Sequence, residues 1–384
     1  MKEAPLITPG KTIGILGGGQ LGRMMALAAK AMGYRIAVLD PGKDNPLSQV
    51  SDIEILTAYD DMDGAKRLAE VSDVITYEFE NVDLTVARYL ESQAFLPQGS
   101  ELLNITQDRV HEKQALTQAG VRVAPYFVVS KREELDIAIS ELGYPAVLKT
   151  VRGGYDGKGQ LVIKNKADEA IAYSWIDNET LFVLEQWIPF EKELSIIVAR
   201  STNGEIKTFP VVENIHINNI LHQTIAPARI SSSVKQQAIE MALSISESLN
   251  LVGTLAVEMF MTKEGELYVN ELAPRPHNSG HYTIEACETS QFEEHIRAIC
   301  GWPLGSTAQL KPAVMVNLLG QHVERAIEAI PQFSNIHFHL YGKDSAKHNR
   351  KMGHITILAD SIEDAMDSVR KVNIWNDERV EEMK

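Results

Sequence analysis

Glu258 and Glu271 lie in strand-like segments, 255–261 and 266–272, with Glu264 and Gly265 between them as a two-residue turn. Counting outward from that turn, the two carboxylates fall opposite each other on one face of a hairpin. Like charges so placed repel. A hard divalent cation removes the conflict, and magnesium bridging carboxylates to nucleotide phosphates is the common arrangement. The plainer alternative is a pair of solvated side chains, which the apolar neighbours Ala256, Val257, Met259, Phe260, Tyr268 and Val269 disfavour. Residues 272–281 follow directly, placing Arg275, His277, Asn278, Ser279 and His281 on a loop stiffened by Pro274 and Pro276. An arginine and imidazoles beside a metal pair suit anion holding and proton transfer.

Two glycine-rich segments offer further chemistry. Residues 153–159 (GGYDGKG) lie between two strand-like segments, so they form a hairpin flap. Its amides would fold over a triphosphate, with Lys149 and Lys158 supplying charge. A mobile surface hairpin is the alternative, but Tyr155 and Asp156 at the tip are not needed for a plain turn. Residues 17–22 (GGGQLG) satisfy G-x-G-x-x-G after a strand and before a helix, with Asp40 ending the next strand. That context suits a nicotinamide dinucleotide, whose pyrophosphate sits on the helix terminus. The same glycines also serve close helix–strand packing, or a different ligand at the strand ends.

These residues need elements to hold them. Apolar runs at 12–16, 35–40, 74–77 and 94–96, with a helix over 23–32, predict a parallel βαβ sheet ending near residue 104. A helix over 108–119 follows, then strands at 146–149, 160–163, 181–185, 193–198 and 255–260, with a helix over 234–249. A Pro- and Gly-bearing linker at 301–312 precedes strands at 313–318, 336–340 and 354–358 and a helix over 362–372. The expected division of the 384 residues is 1–104, 105–300 and 301–384, an α/β chain with an α+β central part. A net charge of −15 argues against a general nucleic-acid surface, while leaving room for a local anion pocket. Cys287 and Cys300 suit a reducing cytoplasm, and no apolar run is long enough for a membrane span. The first ten residues lack a signal pattern, so a cytoplasmic protein is expected.

In order along the chain, GGGQLGRM (17–24), GGYDGKGQ (153–160), Glu185-Gln186, NELAPRPHNSGH (270–281) and RKMGH (350–354) resemble the ATP-grasp superfamily. Within it they are most similar to the ligases that carboxylate 5-aminoimidazole ribonucleotide in purine biosynthesis. The resemblance implies a Rossmann-like first domain, a central ATP-grasp domain and a small β-rich third domain that completes the substrate site. It implies ATP between two sheets of the central part, with Arg109 and Lys149 on its phosphates. Gly154, Tyr155, Asp156, Gly157, Lys158, Gly159 and Gln160 would be the flap. Glu185 and the backbone of Gln186, Trp187 and Ile188 would form the adenine hinge, Glu193 would be the ribose acid, and His216 would lie near the nucleotide. Glu258 and Glu271 would hold Mg2+, with Asn270 beside them. Tyr155, Asp156, Arg275 and His277 would carry the chemistry, Arg275 holding the carboxylate or carboxyphosphate and Asp156 or His277 moving protons. Gly19, Gln20, Leu21, Glu78, Asn278, Ser279, Lys343, Arg350 and Lys351 would bind the ribonucleotide.

The implied co-substrates are ATP and bicarbonate, with no NAD, no biotin, no nucleic acid and no membrane, in a homodimer. A formate-dependent glycinamide ribonucleotide transformylase would share the flap and metal pair but need formate. An NAD-dependent dehydrogenase would leave both without a task, and a non-catalytic nucleotide-binding module would leave Arg275 and His277 unexplained.

Overall fold

The computed structural model describes residues 5–154 and 157–375. The chain opens with β1 (Thr12–Leu16), β2 (Arg35–Asp40), β3 (Ile53–Leu56) and β4 (Val74–Tyr77), which form a parallel sheet in the order β3-β2-β1-β4. β1 is buried along its whole length, as parallel strands covered on both faces must be. Ile13, Ile15, Ile36 and Val38 enter one core with Phe292, Ile296 and Ile299 of the helix Gln291–Ile299. Ala37, Leu39, Ile75 and Tyr77 enter the core on the other side. Each such fully buried branched side chain contributes roughly 1.5–3 kcal/mol of hydrophobic stabilisation. The expected strand at 94–96 is not formed. Phe95 accepts one hydrogen bond from the Ile75 amide at 2.8 Å, but Pro97 has no N–H with which to extend a ladder. The sheet's fourth strand is instead β3, whose Ile-Glu-Ile alternation marks an edge.

The helix Arg109–Gln118 is capped by Asp108, whose carboxylate accepts from the Val110 and His111 amides at 3.1 and 3.2 Å. Next come β5 (Tyr126–Val129), β6 (Ala146–Thr150), β7 (Gln160–Ile163) and β8 (Phe182–Gln186), an antiparallel sheet ordered β5-β8-β6-β7. The strands β9 (Phe190–Arg200), β10 (Ile206–Thr208), β11 (Val212–Ile217), β12 (Ile220–Ala226), β13 (Gly253–Thr262), β14 (Leu267–Ala273), β15 (Ala313–Leu319), β16 (Ile336–Leu340) and β17 (Lys351–Leu358) form a nine-stranded sheet. Its order is β14-β13-β9-β11-β12-β15-β17-β16, with β10 on β9. β12 pairs antiparallel with β15, so the strands of the last segment continue the central sheet across the linker.

The hairpin β13–β14 does set Glu258 against Glu271, by a different route from the expected one. Residues 263–265 form a three-residue loop, closed by the Thr262 amide on the Glu266 carbonyl at 3.0 Å, with Gly265 at φ +81. That loop alone would put Glu258 opposite Asn270. A bulge between Val269 and Glu271 absorbs Asn270 as an extra residue and restores the pair.

Candidate active site

A cavity of 310 Å³ lies between the β5–β8 sheet and the nine-stranded sheet. Lys149, Gly153, Gly154, Gly157, Lys158 and Gln160 line it from β6, β7 and their connection. Glu193, His216, Glu258, Asn270 and Glu271 line it from β9, β11, β13 and β14, and Arg109, Arg275, His277, Asn278 and Lys351 complete the wall. Tyr155 and Asp156 lie outside the described residues. Lys149 Nζ donates to Glu185 Oε2 at 3.0 Å, and Lys113 Nζ lies 3.1 Å from Glu185 Oε1. Burial alone would raise the Glu185 carboxyl, but Lys149 and Lys113 outweigh it and hold the group at about 2.

The electrostatics centre on Glu258. Burial, then the Glu271 carboxylate, push its carboxyl above the usual carboxylate range. His277 Nε2 lies 3.2 Å from Glu258 Oε1, and the Ser279 amide donates to His277 Nδ1 at 3.3 Å. An amide N–H can only donate, so Nδ1 accepts and the proton sits on Nε2. Burial and the nearby Arg275 keep this imidazole neutral, well below the usual histidine range. His216 contacts the Glu193 carboxylate, which outweighs burial and raises the imidazole. Arg275 Nε donates to Glu80 Oε2 at 2.6 Å. The oxygens of Glu258, Glu271 and Asn270 make a hard donor set around a carboxyl that resists charging without a cation, which fits a divalent metal. Among the described residues, no cluster of three or more His, Cys, Asp or Glu is arranged to hold a metal without other ligands.

A second cavity of 520 Å³ is lined by Gly18, Gly19, Gln20, Asp40 and Glu78 from the parallel sheet and by Lys343 and Arg350 from the last segment. Here the glycine fingerprint is occupied from within. Glu78 accepts from the Gly19 amide and, at 2.6 Å, from the Gly22 amide; Asp40 accepts from the Gly18 amide at 2.7 Å. A Cβ on Gly19 would come within 2.6 Å of the Glu78 carboxylate, so the glycine is required by this approach. The amides that would hold a pyrophosphate already hold carboxylates, which removes the dinucleotide reading.

Several expected residues sit elsewhere. Leu21 packs in the apolar core beside Met24 and Met25 and lines neither cavity. Ser279 is fully buried, bonded to Ser195 and His277, and supports the imidazole instead of lining a cavity. Lys351 and Asn278 line the first cavity, not the second, and Asn278 exchanges two hydrogen bonds with Asn317 at 3.0 and 2.7 Å. Gly159 closes the flap's base by accepting from the Thr150 amide at 2.8 Å. Glu185, Gln186, Trp187 and Ile188 do not line the cavity. Glu185 is taken up by its lysines, and the Gln186 and Trp187 amides donate to the Pro125 and Pro145 carbonyls at 2.9 and 3.1 Å. Glu80, Glu112 and Lys113 are additions the sequence reading lacked. Glu112 lines the first cavity one turn from Arg109, and burial with the Glu271 charge pushes it up to about 8. That i, i+3 spacing was the available signal.

Residues 10–107 match the family model for the ribonucleotide synthetase preATP-grasp domain, 114–292 that for the ATP-grasp domain, and 313–368 that for the phosphoribosylaminoimidazole carboxylase C-terminal domain. The chain is 57% identical over 353 residues to the N5-carboxyaminoimidazole ribonucleotide synthase of Bacillus subtilis (strain 168), covering 92% of this chain and 93% of that protein. It is 44% identical to the protein of the same name from Staphylococcus saprophyticus, covering 94% and 96%. Among solved structures, an ADP complex of N5-carboxyaminoimidazole ribonucleotide synthetase superposes with a TM-score of 0.94 at 58% identity, covering 97% of this chain and 99% of that one. The Aspergillus clavatus synthase in complex with ADP and 5-aminoimidazole ribonucleotide gives 0.89 at 30% identity, covering 96% and 99%.

Proposed function

The chain belongs to the N5-carboxyaminoimidazole ribonucleotide synthase family, and from that premise we propose how its residues carry out the family's reaction. It is an ATP-grasp ligase that carboxylates 5-aminoimidazole ribonucleotide at the expense of ATP in purine biosynthesis. The observation that carries the residue assignment is the meeting of two cavities at one strand end: Glu78 lines the second, while Glu80 lines the first and grips Arg275.

ATP lies in the first cavity, its phosphates on Lys149, Lys158 and Arg109, its ribose near Glu193 and His216. Its adenine lies beyond β8, with Glu185 and the backbone of Gln186, Trp187 and Ile188 as the hinge. A bicarbonate oxygen attacks the γ-phosphorus, ADP leaves, and carboxyphosphate forms. The amine of the ribonucleotide then takes the carboxyl carbon, directly or after release of carbon dioxide; phosphate leaves and the amine loses a proton. Arg275 holds the carboxylate in place. His277, with its proton on Nε2, supports a donor role, and we propose Asp156 as the group that accepts the amine proton. Glu258, Glu271 and Asn270 would hold Mg2+, which would supply positive charge to offset that of the phosphates. The ribonucleotide lies in the second cavity, its 5′-phosphate near Lys343 and Arg350.

We assign residues 1–104 to the ribonucleotide domain, 105–300 to the ATP-grasp domain and 301–384 to the segment that completes the substrate site. The proposed assembly is a homodimer acting in the cytoplasm, the latter in keeping with two unpaired cysteines. No described helix is long and apolar enough to cross a membrane.

ADP release, measured with ATP, magnesium and bicarbonate, with and without 5-aminoimidazole ribonucleotide, tests the reading. Release should need both the ribonucleotide and bicarbonate. Release only with formate and glycinamide ribonucleotide would leave the fold intact and sink the substrate assignment. In the same assay Glu258→Gln should cut turnover by roughly 10²-fold or more and raise the magnesium concentration needed for half-maximal rate. An unchanged magnesium requirement would remove Glu258 from the metal site.

A further inference from the structure

A buried polar chain runs from the central segment to the first domain and back. His295, on the helix Gln291–Ile299, is fully enclosed. The Thr254 amide donates to its Nδ1 at 3.2 Å, so Nδ1 accepts and Nε2 carries the proton. Burial pushes this imidazole down to about 3, leaving it neutral. Nε2 donates to Thr76 Oγ1 at 2.8 Å, Thr76 donates to Gln98 Oε1, and Gln98 Nε2 donates to the Pro274 carbonyl at 3.1 Å. Thr76, Thr254 and His295 are 0% exposed and Gln98 is 6% exposed. Every donor points the same way, and backbone groups fix both ends. The chain therefore has a single arrangement of its hydrogens, the condition under which a buried network is rigid.

Its middle and one of its ends lie beside the chemistry. Thr76 is on β4, two residues before Glu78 of the second cavity and four before Glu80. Pro274 precedes Arg275, whose guanidinium is held by Glu80. The turn that carries Arg275 is thus fastened to the end of one strand twice, by its backbone through Gln98 and by its side chain through Glu80. A single ion pair lets a long side chain pivot; a second attachment on the adjacent carbonyl removes that freedom.

We propose that Thr76, Gln98 and His295 act with Glu80 as a clamp that sets Arg275 in register with the strand bearing the ribonucleotide, making them positioning residues for carboxyl transfer. The inference rests on Arg275 holding the carboxylate. The clamp acts after the first chemical step, because the phosphate-facing Lys149 and the ribose-facing Glu193 are on other elements. With the clamp loosened, carboxyphosphate still forms but meets the amine less often. Water then converts it to bicarbonate and phosphate, and ADP accumulates without product.

Thr76→Val keeps the shape of the side chain and deletes the hydroxyl; Thr76→Ser keeps the hydroxyl; Gln98→Met removes both the acceptor for Thr76 and the donor to Pro274 while leaving the residues of the strand unchanged. The assay follows ADP and carboxylated ribonucleotide together, with thermal melts on each variant. Thr76→Val and Gln98→Met should lower the carboxylation kcat by about 10- to 100-fold. They should leave the KM for ATP unchanged and raise the ADP formed per product, and Thr76→Ser should restore the ratio. Folded variants with a wild-type ratio would overturn the clamp, as would a parallel change in the KM for ATP or a failure of serine to rescue. If Thr76→Val does not fold, Gln98→Met decides by the same ratio. Wild-type protein whose ADP release ignores bicarbonate would fail the carboxylation reading itself, and the clamp with it.

Discussion

Lys343 Nζ donates to the Lys351 carbonyl at 2.6 Å and lies 5.7 Å from the centre of the Tyr341 ring, in a wall of the second cavity. Burial, then the neighbouring Arg350, push its ammonium down to about 8. It is therefore charged below about pH 8 and neutral above, so its attraction for a phosphate weakens as pH rises. The KM for the ribonucleotide should climb between pH 7 and 9, by up to about tenfold, while kcat at saturation holds. Lys343→Arg should flatten the rise, and a KM already flat in the native protein would take Lys343 off the phosphate. At this scale the sequence was readable where residue type and local spacing carried the information. The pair Glu258/Glu271 and the loop with Arg275 and His277 are of that kind. It was unreadable where function depends on partners distant in sequence. Glu185 is bonded to two lysines that come from a different strand and helix, partners that local spacing does not show. Glu80 looks like any surface acid until Arg275 is seen against it.

The hairpin β13–β14 shows how an element can reach the expected pairing by two departures that offset each other. A three-residue loop replaces a two-residue turn, and the bulge at Asn270 restores the alignment of the carboxylates. The apolar pattern carried the difference: Leu267 and Val269 face the core with Met261 and Met259, places that a two-residue turn would have given to Tyr268 and Asn270. Gly265, at φ +81, is what the three-residue loop needs, and a Cβ there would meet Val234 Cγ2 at 3.2 Å. Gly265→Ala should cost roughly 1–3 kcal/mol of stability, read as a lower melting temperature, with turnover per folded molecule unchanged. A melt that does not move would mean that the loop relaxes without strain. The strand β3 and the missing strand at 94–96 follow the same lesson: edge strands depend on which chain lies beside them, which local composition does not state.

Over the whole molecule, the last segment is joined to the central sheet by the β12–β15 ladder. A chain ended after residue 312 would lose β15, β16 and β17, leave the β12 edge unpaired, and uncover Ile225, which packs with Val314 and Val316. Such a chain should aggregate or run as a heterogeneous species on size exclusion, and should release no ADP. A monodisperse, ADP-forming product would show that the central part stands alone. The same continuity has a meaning for how the protein is made. Lys351 completes the first cavity, and Lys343 and Arg350 the second, although all three come late in the chain. A polypeptide still leaving the ribosome has its nucleotide loops and its carboxylate pair but lacks these cations.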